Sequence, residues 1–370
     1  MGGRLVSRAS HRTRRWRARW SDSLVAAFTV LVLLGAARDA RSADTTVFRG
    51  NYPGWPWVTS APGGPLVCVW REGTVHEYSA DGRILMSVST DQGQTWSAAR
   101  TIVDEPEVDD RNVAITCLDG QEWLLSYNRY TREMKSQVMT VRSRDGGRPW
   151  EKPQPVSDLD ARTRAAIVTL RNGHLLLPYY RAPGDQALVA LSKDRGRTWE
   201  TIELPNGPGF VGDEWDVAEL PDGRLVGIVR NSASFEDAAD RGWFYQVTSR
   251  DRGRTWTPAR RTNLRDSRST SPAQIFVHEG RPVVLYSNAR MVSVVMVVSD
   301  DPELVRWNVD APLPCYDYRA DRSPIQDGSY PVSVSVGGNR RLIVDYVHDG
   351  ESRTISGYYV DLPAAWSPSR

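Results

Sequence analysis

Cysteine is scarce in this chain of 370 residues, and Cys68, Cys117 and Cys315 stand far apart. An odd count at that spacing gives no disulfide framework and no C-x-x-C metal or redox pair, so buried free thiols are expected. The five histidines are scattered and include no H-E-x-x-H; neither G-x-G-x-x-G nor a P-loop occurs. The common zinc-hydrolase, dinucleotide and phosphate-cradling signatures are missing, and no cofactor or metal is expected. Long apolar runs are missing too. LVAAFTVLVLLGAA, at 24–37, has 14 residues and is too short to span a bilayer comfortably. Phe is rare (6) beside Trp (14) and Tyr (14), whereas Gly (29) and Pro (23) are plentiful. That balance favours strands joined by tight turns over helices.

Charge is unevenly spread. Residues 1–43 hold nine Arg against Asp22 and Asp39, a local +7; with the whole chain at +2, the remainder carries about −5. The basic head is therefore not a nucleic-acid patch on the folded body, and no nucleic-acid partner is expected. The basic head, the short apolar stretch and the small residues Gly35 and Ala37 read as a secretory signal peptide over 1–43, with a retained anchor as the alternative. TRRWRA at 13–18 has the look of a twin-arginine signal. The expectation is a secreted, periplasmic or envelope-facing monomer, without stable membrane insertion, whose residues 44–370 form one domain.

What the chain does contain is a repeat. STDQGQTW (89–96), SRDGGRPW (143–150), SKDRGRTW (192–199) and SRDRGRTW (249–256) recur about fifty residues apart, and SDDPELVRW, ending at Trp307, is a worn fifth copy. A second motif, a Gly turn before an apolar run, appears six times, from PGGPLVCVW (62–70) to VGGNRRLIVDY (336–346). Such periodicity marks an array of hairpin units. The reading is all-β: a six-bladed β-propeller with four antiparallel strands per blade, its last blade completed by the N-terminal segment TTVF (45–48). In the octet, Ser and Asp side chains suit backbone amides, Gly suits a positive φ and Trp suits packing. The octet is thus a structural turn, not a catalytic one.

If the octet turns lie at the bottom of the disc, chemistry belongs on the top. The second strands end there at Arg71, Arg129, Arg181, Arg230 and, slightly later, Arg290. The first strands start near Trp55, Arg111, Arg164, Glu214, Ser271 and Tyr330. Guanidiniums gathered around a Glu and a Tyr suit a small anionic ligand, a carboxylate in particular.

The octets resemble the Asp boxes of the sialidase (neuraminidase) superfamily, and the six-blade count agrees with that fold. DEWDVAELPDGRLVGIVRN (213–231), LYSNAR (285–290) and GSYPVSVSVGGNRRLIVDY (328–346) are similar to three further family segments. The resemblance implies a retaining exo-α-sialidase acting on sialylated or other acidic glycans. Tyr330 would be the nucleophile, Glu214 its proton acceptor, and Arg230 and Arg290 the carboxylate-binding arginines, with Arg71 and Arg111 as further substrate-binding residues. The chain departs from the family pattern twice. Gly54, in GWPW (54–57), stands where an Arg belongs, which makes Arg71 the substitute and sets aside Arg49 on an outer strand. The acid/base Asp is missing from the first-blade loop REGTVHEYSADG (71–82), which offers Glu77, with His76 and Asp81 as rivals. Two other readings stand beside the first: a hydrolase of a different acidic glycan, and a non-catalytic glycan-binding propeller.

Overall fold

Each repeat folds as an antiparallel sheet whose strands pair in chain order. The computed structural model describes residues 43–366 apart from 185, 208–209, 232–241, 269–270, 302, 305 and 320–324. The expected signal peptide lies outside the described residues. Blade 1 comprises Gly54–Ser60, Leu66–Glu72, Arg83–Ser89 and Arg100–Val103. Blade 2 comprises Asp109–Cys117, Trp123–Tyr130, Ser136–Ser143 and Gln154–Pro155. In blade 3 the innermost strand is broken into Ala161–Arg162 and Val168–Thr169, followed by Leu175–Arg181, Gln186–Ser192 and Glu200–Glu203. Blade 4 comprises Gly212–Glu219, Leu225–Asn231, Trp243–Ser249 and Arg260–Arg265. Blade 5 comprises Gln274–His278, Arg281–Ala289, Ser293–Val298 and Leu313–Asp317. Blade 6 has a broken inner strand, Ile325–Gly328 and Val332–Gly337, then Arg340–Asp349 and Arg353–Asp361. Its outermost strand is Thr45–Arg49, which pairs antiparallel with Arg353–Asp361, Thr45 opposite Gly357. The expected closure by the N-terminal segment is thus present, with Arg49 on that outer strand.

Blades stack face to face, so the second strand of each is covered on both sides. Leu66–Glu72 is buried at every position, and its sequence LVCVWRE does not alternate as a half-exposed strand would. Of the cysteines, Cys68 is buried in this strand, while Cys117 and Cys315 are only half-buried.

The octets act as blade-to-blade couplers. In the blade 4 copy, the Asp251 carboxylate accepts from the Thr255 amide at 2.9 Å and the Thr255 hydroxyl at 2.6 Å, and the Ser249 hydroxyl accepts from the Gly253 amide at 2.9 Å. Gly253 has φ +84, and a Cβ there would lie 2.6 Å from Leu176 of blade 3, so both conformation and space call for glycine. Trp256 packs edge-on against Trp215 with ring centroids 5.6 Å apart. The preceding blade reaches back: Arg100 donates to the Gly147 carbonyl at 2.6 Å, Arg260 to that of Leu304 at 3.0 Å, and the Tyr359 hydroxyl to that of Gln92 at 2.8 Å. Asp251→Ala is therefore expected to lower stability by about 1–2 kcal/mol, seen as a fall of a few degrees in Tm, with activity at permissive temperature unchanged.

Along the inner strands the ladder is repeatedly interrupted near the end that faces the site. Register shifts fall between Gly54 and Trp57, Arg111 and Ala114, and Gly212 and Trp215. Blades 3 and 6 break there altogether. Trp55, Asn112 and Ser329 take positive φ values of 50°, 50° and 71°. Such irregularities re-aim side chains, here toward one cleft.

Candidate active site

The bulge in Gly212–Glu219 carries Asp213 and Glu214; the gap between the two inner pieces of blade 6 carries Tyr330. The Tyr330 hydroxyl donates to Glu214 Oε2 at 3.0 Å. Arg230 ends the strand beside Glu214 and touches both groups, with Nη1 3.2 Å from the Tyr330 oxygen and 2.9 Å from Glu214 Oε2. Its other face is held by Asp213, from Nε at 3.1 Å and Nη2 at 2.7 Å. Asn112 donates to Glu214 Oε1 at 3.2 Å, fixing the carboxylate from blade 2. The Tyr330 amide donates to Asp345 at 2.8 Å, which anchors the nucleophile candidate through its backbone.

These groups lie in a cleft of about 230 Å³ whose wall also includes Trp55, His76, Glu77, Arg111 and Arg162. Burial and the nearby Glu214 charge push the Tyr330 phenol up to about 12, against the pull of Arg230 and Arg290. Tyr330 is thus a neutral hydroxyl at neutral pH, hydrogen-bonded to a base. Burial works against the Arg230 charge, but Asp213 and Glu214 overcome it and keep the guanidinium firmly protonated. Beneath the cleft, Arg164 is buried and donates to the Ala273 and Pro331 carbonyls at 3.3 and 3.4 Å, a cross-brace between blades 3, 5 and 6.

The arginines expected from the sequence separate into groups. Arg230 lines the cleft. Arg290, like Arg71, is not among the residues lining the cleft; its charge favours the ionised Tyr330 phenol, and its Nε has no hydrogen-bond partner among the described residues. Arg111 lines the cleft above Trp55, 4.2 Å from the ring centroid, and donates to the Glu77 carbonyl at 2.7 Å. Arg71 is not on the cleft wall. Its fully buried guanidinium grips Asp109 with two 2.9 Å bonds and the Val75 carbonyl with a third at 2.7 Å. Arg129 and Arg181 pair with Glu105 and Glu203 at the partly exposed rim. Arg162 was not singled out from the sequence; it lines the cleft beside Tyr130, and its buried Nε also lacks a partner among the described residues.

At Gly54, where the family resemblance calls for an arginine, the chain turns so that Trp55 is buried in the cleft wall. Its ring lies 6.5 Å from that of Tyr330 and 5.2 Å from that of His76. In the loop over the cleft, Asp81 is tied to Thr74 and Ser79 at 2.7 and 2.6 Å. Glu77 is exposed at the rim, and His76 points its Nδ1 at Asp327 at 2.7 Å. Among the described residues, no group of three His, Cys, Asp or Glu side chains is placed to hold a metal ion, and no helix is long and apolar enough to cross a membrane.

Solved structures share this architecture at low identity. A protein of unknown function from Dyadobacter fermentans superposes with TM-score 0.72 at 18% identity, covering 86% of this chain and 98% of that one. Hadza microbial sialidase Hz136 gives 0.65 at 19%, covering 85% of this chain and 66% of its own. The α-L-arabinanase of Penicillium chrysogenum, solved with arabinobiose, gives 0.62 at 15%, covering 86% and 98%. The fold is therefore sialidase-like, of a kind that also serves other glycoside hydrolases. A family profile described as "BNR repeat-like domain" matches residues 64–324, more than half of the sequence, and the chain belongs to that family.

Proposed function

We propose that this protein is a retaining exo-α-sialidase, releasing terminal sialic acids through a covalent tyrosyl intermediate. The observation that carries this reading is the Tyr330–Glu214 hydrogen bond of 3.0 Å with Arg230 in contact with both members. In a sialoside a carboxylate sits on the anomeric carbon. A carboxylate nucleophile would meet it with like charge; a neutral phenol does not, and it becomes nucleophilic only as its proton passes to Glu214. Arg230 and Arg290 supply positive charge for the substrate carboxylate and for the phenolate as it forms. The basic, apolar head fits delivery to the envelope or beyond, where glycoconjugates are met.

The test is turnover of an aryl α-sialoside, with NMR on the first-formed sugar showing retention. Glu214→Gln keeps the shape but not the base, and is expected to lower kcat by about 10²–10⁴-fold with a small change in KM. Full activity in this variant would remove Glu214 from the mechanism.

Trp55 supports a second reading. With an indole in place of one guanidinium and Arg71 held by Asp109, the site has fewer arginines for a carboxylate and more flat apolar surface for a sugar ring. Hydrolysis of another acidic glycoside, with sialosides untouched, would favour that substrate class. Binding of glycans without hydrolysis of either would favour a lectin-like role.

A further inference from the structure

The loop of residues 73–82 covers one side of the cleft and is stiffly built. Arg71 holds the Val75 carbonyl at 2.7 Å, the Thr74 amide donates to the Ser79 hydroxyl at 2.8 Å, and the Ser79 amide donates to Asp109 at 3.1 Å. A Cβ on Gly82 would sit 2.0 Å from an Asp109 oxygen, so the loop closes directly onto the buried ion pair. His76 projects from this frame into the wall of the cleft that Tyr330 and Glu214 also line.

Behind the ring stands Asp327 of blade 6. Its carboxylate accepts from His76 Nδ1 at 2.7 Å, from the Tyr346 hydroxyl at 2.9 Å, from the Gly328 amide at 2.9 Å and from the Tyr52 hydroxyl. Four donors on one half-buried carboxylate fix its orientation, and Asp327 in turn fixes the imidazole with the proton on Nδ1. Nε2 is left as the nitrogen that can exchange a proton with a bound molecule. Trp55 packs edge-on against the ring and restricts it from the side.

Resting on the sialidase-type reading above, we propose that His76 is the general acid/base of this site and Asp327 its positioning residue. In the first step His76 Nε2–H gives its proton to the glycosidic oxygen as the bond from that oxygen to the anomeric carbon breaks. Tyr330 Oη bonds to the same carbon, and the phenol proton goes to Glu214. In the second step neutral His76 takes a proton from water, whose oxygen attacks the anomeric carbon. The carbon–Tyr330 bond breaks, and Glu214 returns the proton to the phenol. Both groups end as they began.

The rivals are placed less well. Asp81 is used up within the loop, and the Glu77 carboxylate is solvent-exposed. Asp327 is fitted to remain an anion: burial raises it, yet the bonds from His76, Tyr52 and Tyr346 prevail and hold it at about 2. Other titratable or charged groups also face the ring. Tyr52 lies on its flank, with His348 at 4.3 Å and Arg353 at 5.4 Å behind Tyr52. Glu77, Arg111, Glu214, Arg230 and Tyr330 line the same cleft.

The experiment compares wild type, His76→Asn and Asp327→Asn on two substrates: 4-methylumbelliferyl α-sialoside, whose leaving group needs little protonation, and sialyllactose, whose leaving group needs it fully. His76→Asn is expected to lose about 10²–10⁴-fold in kcat/KM on sialyllactose and far less on the aryl substrate. Azide should restore aryl turnover in this variant by forming a glycosyl azide. Asp327→Asn, which leaves the ring unoriented, should lower kcat on sialyllactose more than on the aryl substrate while changing KM little. An inert wild type overturns the sialidase reading, and this assignment with it. An active wild type whose His76→Asn variant loses both substrates equally, or neither, overturns only the role of His76. Transfer of the leaving-group effect to Glu77→Gln does the same.

Discussion

Tyr330→Phe is expected to remove turnover on aryl α-sialosides by on the order of 10⁴-fold or more while leaving binding of a carboxylate inhibitor intact. The variant deletes one oxygen from a ring that is 7% exposed. That ring is packed against Trp55 and Tyr346 at 6.5 and 5.8 Å, so folding has little reason to suffer. What goes is the hydroxyl that donates to Glu214 and that Arg230 touches. With the wild type at about 12, the free phenolate is a negligible species at pH 7, so reactivity depends on proton transfer within the bound complex. A 2,3-difluorosialic acid probe should add its mass to the peptide containing Tyr330 in wild type and not in Tyr330→Phe. Labelling elsewhere, or a variant that still turns over, would refute a tyrosyl intermediate.

The second large effect concerns stability. Arg71→Met leaves Asp109 as a fully buried carboxylate without its bidentate partner. Among the described residues, the Ser79 amide at 3.1 Å and Arg111 at 3.4 Å remain on it. Removing one partner of such a pair costs about 3–5 kcal/mol, and the loop carrying His76 loses its anchor as well. Chemical denaturation should show the loss. Combining Arg71→Met with Asp109→Leu should recover much of it, since no charge is then stranded. Were Arg71 instead a substrate ligand, Arg71→Met would raise KM for acidic substrates with stability unchanged, and that result would reverse the structural role given to it here.

The contrast between Arg71 and Arg230 shows what the sequence can convey. Both end a second strand after an apolar run, and both read as cleft arginines. Arg230 meets Glu214, which starts the strand beside it, and that local pairing is visible in the spacing of 213–231. Arg71 meets Asp109, 38 positions later in another blade. No local pattern announces that partner. The octets and Gly turns were legible because each is a self-contained set of side chain-to-backbone bonds repeated in order, and the blade count followed. Tyr330 and Glu214 were legible as positions on a common face. The bulges at Trp55 and Asn112, which decide what that face presents, arise from how inner strands crowd the axis. Asp327 is 251 positions from His76 and becomes its neighbour only because the ring brings blade 6 beside blade 1.

That adjacency depends on the strap Thr45–Arg49. Before it pairs with Arg353–Asp361, blade 6 would present an unpaired edge, and joining them means closing a loop of roughly three hundred residues, an entropically demanding and kinetically late event. The strap extends in practice from Asp44, whose amide donates to the Gly357 carbonyl at 2.9 Å and whose carboxylate accepts from the Tyr359 amide at 2.7 Å. Any protease that trims the basic head has to stop short of this clasp, since a cut a few residues further would unfasten the disc.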